Sequence, residues 1–139
     1  MEYTLDLAKG AMEKSIQHWE RLLSHTLKRE NDEITSEGWS GSSCPACRVY
    51  HKNGECGGCP ISTFTKQNDC EGTPWNDAHT AILRALKDSD LDMRWANAEH
   101  DINAELIFLR RVYKELLDPT GLYWSLHPNA RSEVLDPNE

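Results

Sequence analysis

From position 4 to about position 29, apolar residues return every third or fourth place, at Leu5, Ala8, Met12, Ile16, Trp19, Leu23 and Leu27. That period lays one apolar stripe along a helix. Thr4 stands where an N-cap belongs, with Asp6 near the positive end of the helix dipole and Lys28 and Arg29 near its negative end. Gly10 weakens only the first turns. The stripe reads as a core face, with a docking surface for a partner helix as the alternative. The period breaks over residues 31–43, where acids, Gly38, Gly41 and serines surround a single Trp39, and this stretch reads as a linker. Trp39 is expected to cover one side of a small core.

The period resumes after Thr73-Pro74, an N-cap followed by proline at the first helical position. A second helix is expected from there to about Lys87, with the stripe Trp75, Ala78, Ile82, Ala85 and Leu86. A turn over Asp88 to Asp92 leads to a third helix from about Met93 to Leu117, striped by Trp95, Ala98, Ile102, Leu106, Leu109, Tyr113 and Leu116. Asp118-Pro119 ends it. The three stripes predict that Ile16, Trp19, Leu23, Ile82, Leu86, Ile102, Leu109 and Tyr113 are buried together. The expected fold is mainly α, with about three helices and a metal-stapled cysteine-rich loop or short hairpin between the first and second. Residues 1–139 make a single domain: helix 1–30, linker 31–43, cysteine-rich metal segment 44–74, helical pair 75–118 and tail 119–139.

Charge narrows the partners. The chain carries a net −8, divided as −3 over residues 1–39, zero over 40–74 and −5 over 75–139. Phosphate binding draws on clustered lysine and arginine, and no segment supplies a basic excess, so nucleic acid is an unlikely partner and a protein is the expected one. A nucleic-acid-binding module remains the alternative if Arg48, Lys52, Lys66, Arg110, Arg111 and Lys114 converge on one face. The first residues lack a secretory signal pattern, and no apolar run approaches a membrane span, so the expected compartment is the cytoplasm, with no membrane partner.

The chemistry is concentrated in one stretch. Cys44-Pro45-Ala46-Cys47 and Cys56-Gly57-Gly58-Cys59 are two C-x-x-C pairs separated by eight residues. Each pair brings two thiolates to one ion, and two pairs complete a tetrahedral sulfur site. Gly57 and Gly58 ease the tight turn, and Asn53-Gly54 favours a turn that returns one pair to the other. In a reducing compartment an odd number of cysteines in clustered pairs reads as metal ligation before disulfides. The expected ligands are Cys44, Cys47, Cys56 and Cys59, and the expected metal is zinc. Cys70, eleven positions past Cys59, is the alternative fourth ligand. An iron-sulfur cluster is the alternative cofactor, because cluster ligands need only thiolates and Cys59-Pro60 is a pair found beside clusters. Four thiolates leave no open position for water, which makes the site structural. It would hold a segment whose own apolar residues, Val49, Tyr50, Ile61 and Phe64, are too few to do so.

The order C-P-x-C, then C-G-G-C-P, then Cys70 followed by Gly72-Thr73-Pro74-Trp75 resembles a group of small bacteriophage proteins with a cysteine-rich segment ahead of a Thr-Pro-aromatic helix start. The resemblance covers about residues 39 to 76. It implies phage origin, hence a host cytoplasm, and metal binding, and it carries no activity. Within it all five cysteines belong to the motif, which makes Cys70 eligible as a ligand.

Catalytic patterns are weak. His51 and Asn53 invite comparison with HNH nucleases, but no Asp-His pair follows and no basic excess accompanies them. His18, His25, His79 and His100 form no His-x-x-x-His pair, and neither long helix carries Glu-x-x-His. Glu99, His100, Asp101 and Glu105 read as a solvated charged face. The expected function is that of a nonenzymatic metal-binding phage accessory protein acting through protein contact, as an inhibitor of a host system in its sharpest form. An iron-sulfur or redox protein is a further alternative.

Overall fold

The computed structural model describes residues 5–39, 61 and 73–118. Residues 5–39 and 73–118 hold four helices, α1 (Leu5–Leu27), α2 (Asn31–Glu37), α3 (Pro74–Lys87) and α4 (Asp92–Leu117), and none of the described residues is in a strand. The mainly helical expectation holds. The loop or hairpin expected between the cysteine pairs, the N-cap at Thr4 and the tail 119–139 lie outside the described residues.

Helix α4 is central and packs against both α1 and α3. Its buried residues Trp95, Ala98, Ile102, Glu105, Leu109, Val112 and Leu116 alternate steps of three and four, with Leu106 beside them. The buried face of α1 has the same alternation at Ala8, Met12, Ser15, Trp19, Leu22 and Thr26, flanked by Ala11 and His18. Such a seven-residue repeat keeps one seam against a neighbouring helix. The ion pair Arg29–Asp92 and the hydrogen bonds from Arg110 to Glu20 and from Tyr113 to Glu13 run in opposite order along α1 and α4, so the two helices are antiparallel.

The core differs from the expected one at its edges. Trp19, Ile82, Ile102 and Leu109 are buried, whereas Ile16, Leu23, Leu86 and Tyr113 are only partly buried against it, and Leu27 is 57% exposed. The face of α1 is turned toward Ser15, His18, Leu22 and Thr26, so polar side chains occupy seam positions that a purely apolar pattern passes over.

Residues 31–43 were expected to be a linker, but their first half is the helix α2. Asp32 and Glu33 sit in its first turn, where the helix dipole favours acids, and Ile34 is fully buried and fixes it to the core. One apolar residue in seven carries no period. The elbow before it is a Schellman turn: Glu30 N–H donates to the His25 carbonyl at 2.9 Å and Arg29 N–H to the Thr26 carbonyl at 3.1 Å, with Arg29 left-handed at φ 55°. At the far end Gly38, at φ 80°, takes a conformation that side chains resist and turns the chain out toward Trp39.

Candidate functional site

The five predicted metal ligands, Cys44, Cys47, Cys56, Cys59 and Cys70, lie outside the described residues, as do His51 and the basic residues Arg48, Lys52 and Lys66. The structure describes the frame to which their segment is fastened. On its C-terminal side Thr73 is extended, at φ −93° and ψ 167°, and its side-chain oxygen accepts the Trp75 N–H at 3.3 Å, with Pro74 opening the helix. This is the cap read from the sequence. One turn later, His79 stacks on Trp75 with ring centroids 5.0 Å apart and 24° between planes, a neighbour spacing on a helix.

The same imidazole reaches the segment's other end. His79 Nδ1 lies 3.4 Å from the Trp39 carbonyl oxygen. A carbonyl only accepts, so Nδ1 carries the proton. Trp39 itself is half-buried against the core, as expected. Between these two ends, Ile61 is 3% exposed and belongs to the helical core. Of the described residues next to the cysteines in sequence, Trp39 and Ile61 thus pack on the helices and Thr73 begins one.

Two residues before Trp39, the last residue of α2 is tied back to α1. Glu37 accepts two bonds from Arg21, Nε to Oε1 at 2.8 Å and Nη2 to Oε2 at 3.1 Å. His18 Nδ1 lies 2.6 Å from Glu37 Oε2. The Arg21 hydrogen bonds hold the Glu37 carboxyl below its ordinary range; partial burial opposes this and His18 reinforces it. The Arg21 guanidinium is correspondingly pushed up, chiefly by the hydrogen bond to Glu37. A second pair, His25 Nδ1 to Glu30 Oε1 at 2.8 Å, closes the elbow before α2. His18 and His25 on α1 thus meet Glu37 and Glu30 through two seven-residue steps. These pairs brace the elbow: the His18 side chain is only 3% exposed and that of Glu37 17%, which leaves little open surface for a substrate.

The remaining sequence candidates separate. Glu99 and His100 are exposed, and His100 lies 3.1 Å from the neighbouring Asp101. Glu105 is 3% exposed on the buried seam of α4, which corrects its assignment to a solvated face. Arg110 is paired with Glu20 at 3.0 Å, and Arg111 and Lys114 share their surface with Glu115 and Asp118. Among the described residues no three histidine, cysteine or carboxylate side chains are grouped to hold a metal ion. No described helix is long and apolar enough to cross a membrane. The bracing pairs were hidden because the partners are 19 and 5 positions apart and the intervening helix had no apolar period. The Trp75–His79 spacing was the one available signal. No protein-family model, curated protein or solved structure gives a match to this chain.

Proposed function

We propose that this chain is a nonenzymatic metal-binding protein of the bacteriophage accessory kind, in which a helical frame presents a zinc-stapled segment to a protein partner in a host cytoplasm, where inhibition of a host system is the sharpest form of the role. Zinc is assigned to Cys44, Cys47, Cys56 and Cys59, with Cys70 as the alternative fourth ligand. The observation that carries the metal reading is the pair of C-x-x-C motifs at a spacing that suits one tetrahedral sulfur site. The attachment of the intervening chain at Trp39, Ile61 and Thr73 supports it, because a fastened loop loses less entropy when an ion closes it. A closed thiolate site has no position for an activated water, which favours a structural role over catalysis. The net charge of −8 favours a protein partner over nucleic acid.

Elemental analysis with an absorption spectrum of freshly purified protein tests the metal. One zinc per chain and no visible absorption are expected. Iron with acid-labile sulfide and a brown colour would replace zinc with a cluster, and no metal would remove the reading. A duplex-DNA titration tests the partner class. Weak binding is expected, and tight binding with a steep salt dependence would overturn the protein-partner assignment.

A further inference from the structure

The antiparallel pair α3 and α4 leaves a groove of about 260 Å³ whose charges are sorted by position. Arg84 and Arg94 lie about equally far from the turn that joins the helices, and so do Asp77 and Asp101 farther away. The groove therefore has a basic end near the turn and an acidic end away from it. Thr80, Ala81 and Asn97 line the middle and are small or short. The two ends are seven residues apart on each helix, or about 10 Å at the helical rise of about 1.5 Å per residue.

Placing like charges abreast on neighbouring helices raises the energy of the isolated chain, and the described residues relieve it only in part. Neither Asp77 nor Arg84 makes an ion pair with a described residue. Among the described residues Asp101 meets its neighbour His100, and Arg94 has a loose ion pair with Asp88 at the turn, Nε to Oδ2 at 3.6 Å, without a hydrogen bond. A two-fold rotation about the small-residue centre exchanges the ends. It sets the acidic end of one copy on the basic end of the other twice over, as an isologous contact requires. A helix pair with a short-chain centre also permits close approach.

We infer that this groove is a self-association surface, in which a second copy of the chain docks antiparallel so that Asp77 and Asp101 of each copy face Arg84 and Arg94 of the other. The inference is independent of the metal reading, since every residue it uses is on α3 or α4.

Sedimentation of the full chain at about 100 μM in low salt should give twice the chain mass. The dimer should weaken as salt rises, because exposed charge pairs are screened within a Debye length of about 3 Å at 1 M. Asp77→Lys with Asp101→Lys makes the groove wholly basic, and Arg84→Glu with Arg94→Glu makes it wholly acidic. Each double variant alone should be monomeric, and an equimolar mixture should form a heterodimer, since both ends then meet opposite charge. Asn97→Arg, which puts bulk and like charge on the two-fold axis at an exposed site, should be monomeric with an unchanged helical circular dichroism spectrum. A wild type that is monomeric in low salt would overturn the inference. So would double variants that still dimerise alone, a mixture of folded double variants that does not associate, or a dimer that survives Asn97→Arg. If a double variant fails to fold, the wild-type mass and Asn97→Arg still decide the question.

Discussion

His79 joins Trp39 across the base of the cysteine-bearing segment, Nδ1 to carbonyl oxygen at 3.4 Å. The contact closes the loop between α2 and α3 before any ion is bound. His79→Leu keeps a helix-compatible side chain of similar bulk on α3 but removes the donor. It should leave helicity unchanged, speed hydrogen exchange over residues 34–39, and lower zinc affinity severalfold in a chelator competition, since the closure entropy then falls on metal binding. An unchanged affinity would show that the contact does not organise the segment.

Glu37 makes the elbow pH-dependent with a fixed sign. Its carboxyl is depressed, first by the Arg21 hydrogen bonds and then by His18, against the opposing effect of burial. Its contribution is fully present above the unfolded value of about 4.3 and is lost as pH falls through the lower folded value. At pH 7, Glu37→Gln should cost about 1 to 3 kcal/mol, the scale of hydrogen bonds to charged groups. In urea unfolding, the gap between wild type and variant should narrow as pH drops below about 4.3. A gap that stays constant to lower pH would contradict the assignment.

At the other end of the elbow, Arg29 holds a left-handed conformation while pairing with Asp92 at 2.6 Å and lying 6.0 Å from the Trp95 ring centroid. Two effects oppose each other. Arg29→Ala keeps the backbone strain and loses the contacts, so it should destabilise by about 1 kcal/mol. Arg29→Gly loses the same contacts but relieves a strain of about 1 kcal/mol, and should be close to neutral. Thermal unfolding of both variants checks the order, and a glycine variant less stable than the alanine variant would refute it.

What could be read in advance follows from where the polar residues lie. The Thr73-Pro74 cap and the α4 stripe are local signals and survive in the structure. On α1, choosing apolar residues alone led to Ile16, Leu23 and Leu27, one strip away from the seam, because Ser15, His18 and Thr26 occupy buried positions there. Helix α2 carries only Ile34 as a buried anchor, and its stability comes from Glu37 and Glu30 reaching back to α1, an arrangement that no local pattern encodes. The cysteines lie outside the described residues, and the described residues beside them that meet the frame, His79 and Ile61, act through contacts distant in sequence.

Gly10 lies within α1, and a Cβ placed on it meets nothing within 4 Å. Glycine in a helix costs about 0.5 to 1 kcal/mol relative to alanine, mainly through the freedom of the unfolded chain. Gly10→Ala should therefore raise stability by about that amount in denaturant unfolding. A loss would mean that α1 needs flexibility or close approach at this position.

Ile61, two positions beyond the proposed ligand Cys59 in sequence, is buried among the helices. If zinc is held by Cys44, Cys47, Cys56 and Cys59, then Cys47→Ser or Cys59→Ser should abolish stoichiometric zinc, because a hydroxyl is a poor replacement for a thiolate. Cys70→Ser should retain it. Ile61→Ala should keep the metal but cost about 2 to 5 kcal/mol of global stability, as truncating a buried aliphatic does. Chelation should leave most helicity intact, since the α1, α3 and α4 seams pack without the ion. Hydrogen exchange should then rise first at Trp39 and Thr73, where the segment joins the frame. Metal lost in the Cys70 variant but kept in the Cys56→Ser variant would exchange the fourth ligand, and helices that melt together with zinc removal would show that the ion, not the seams, holds the fold.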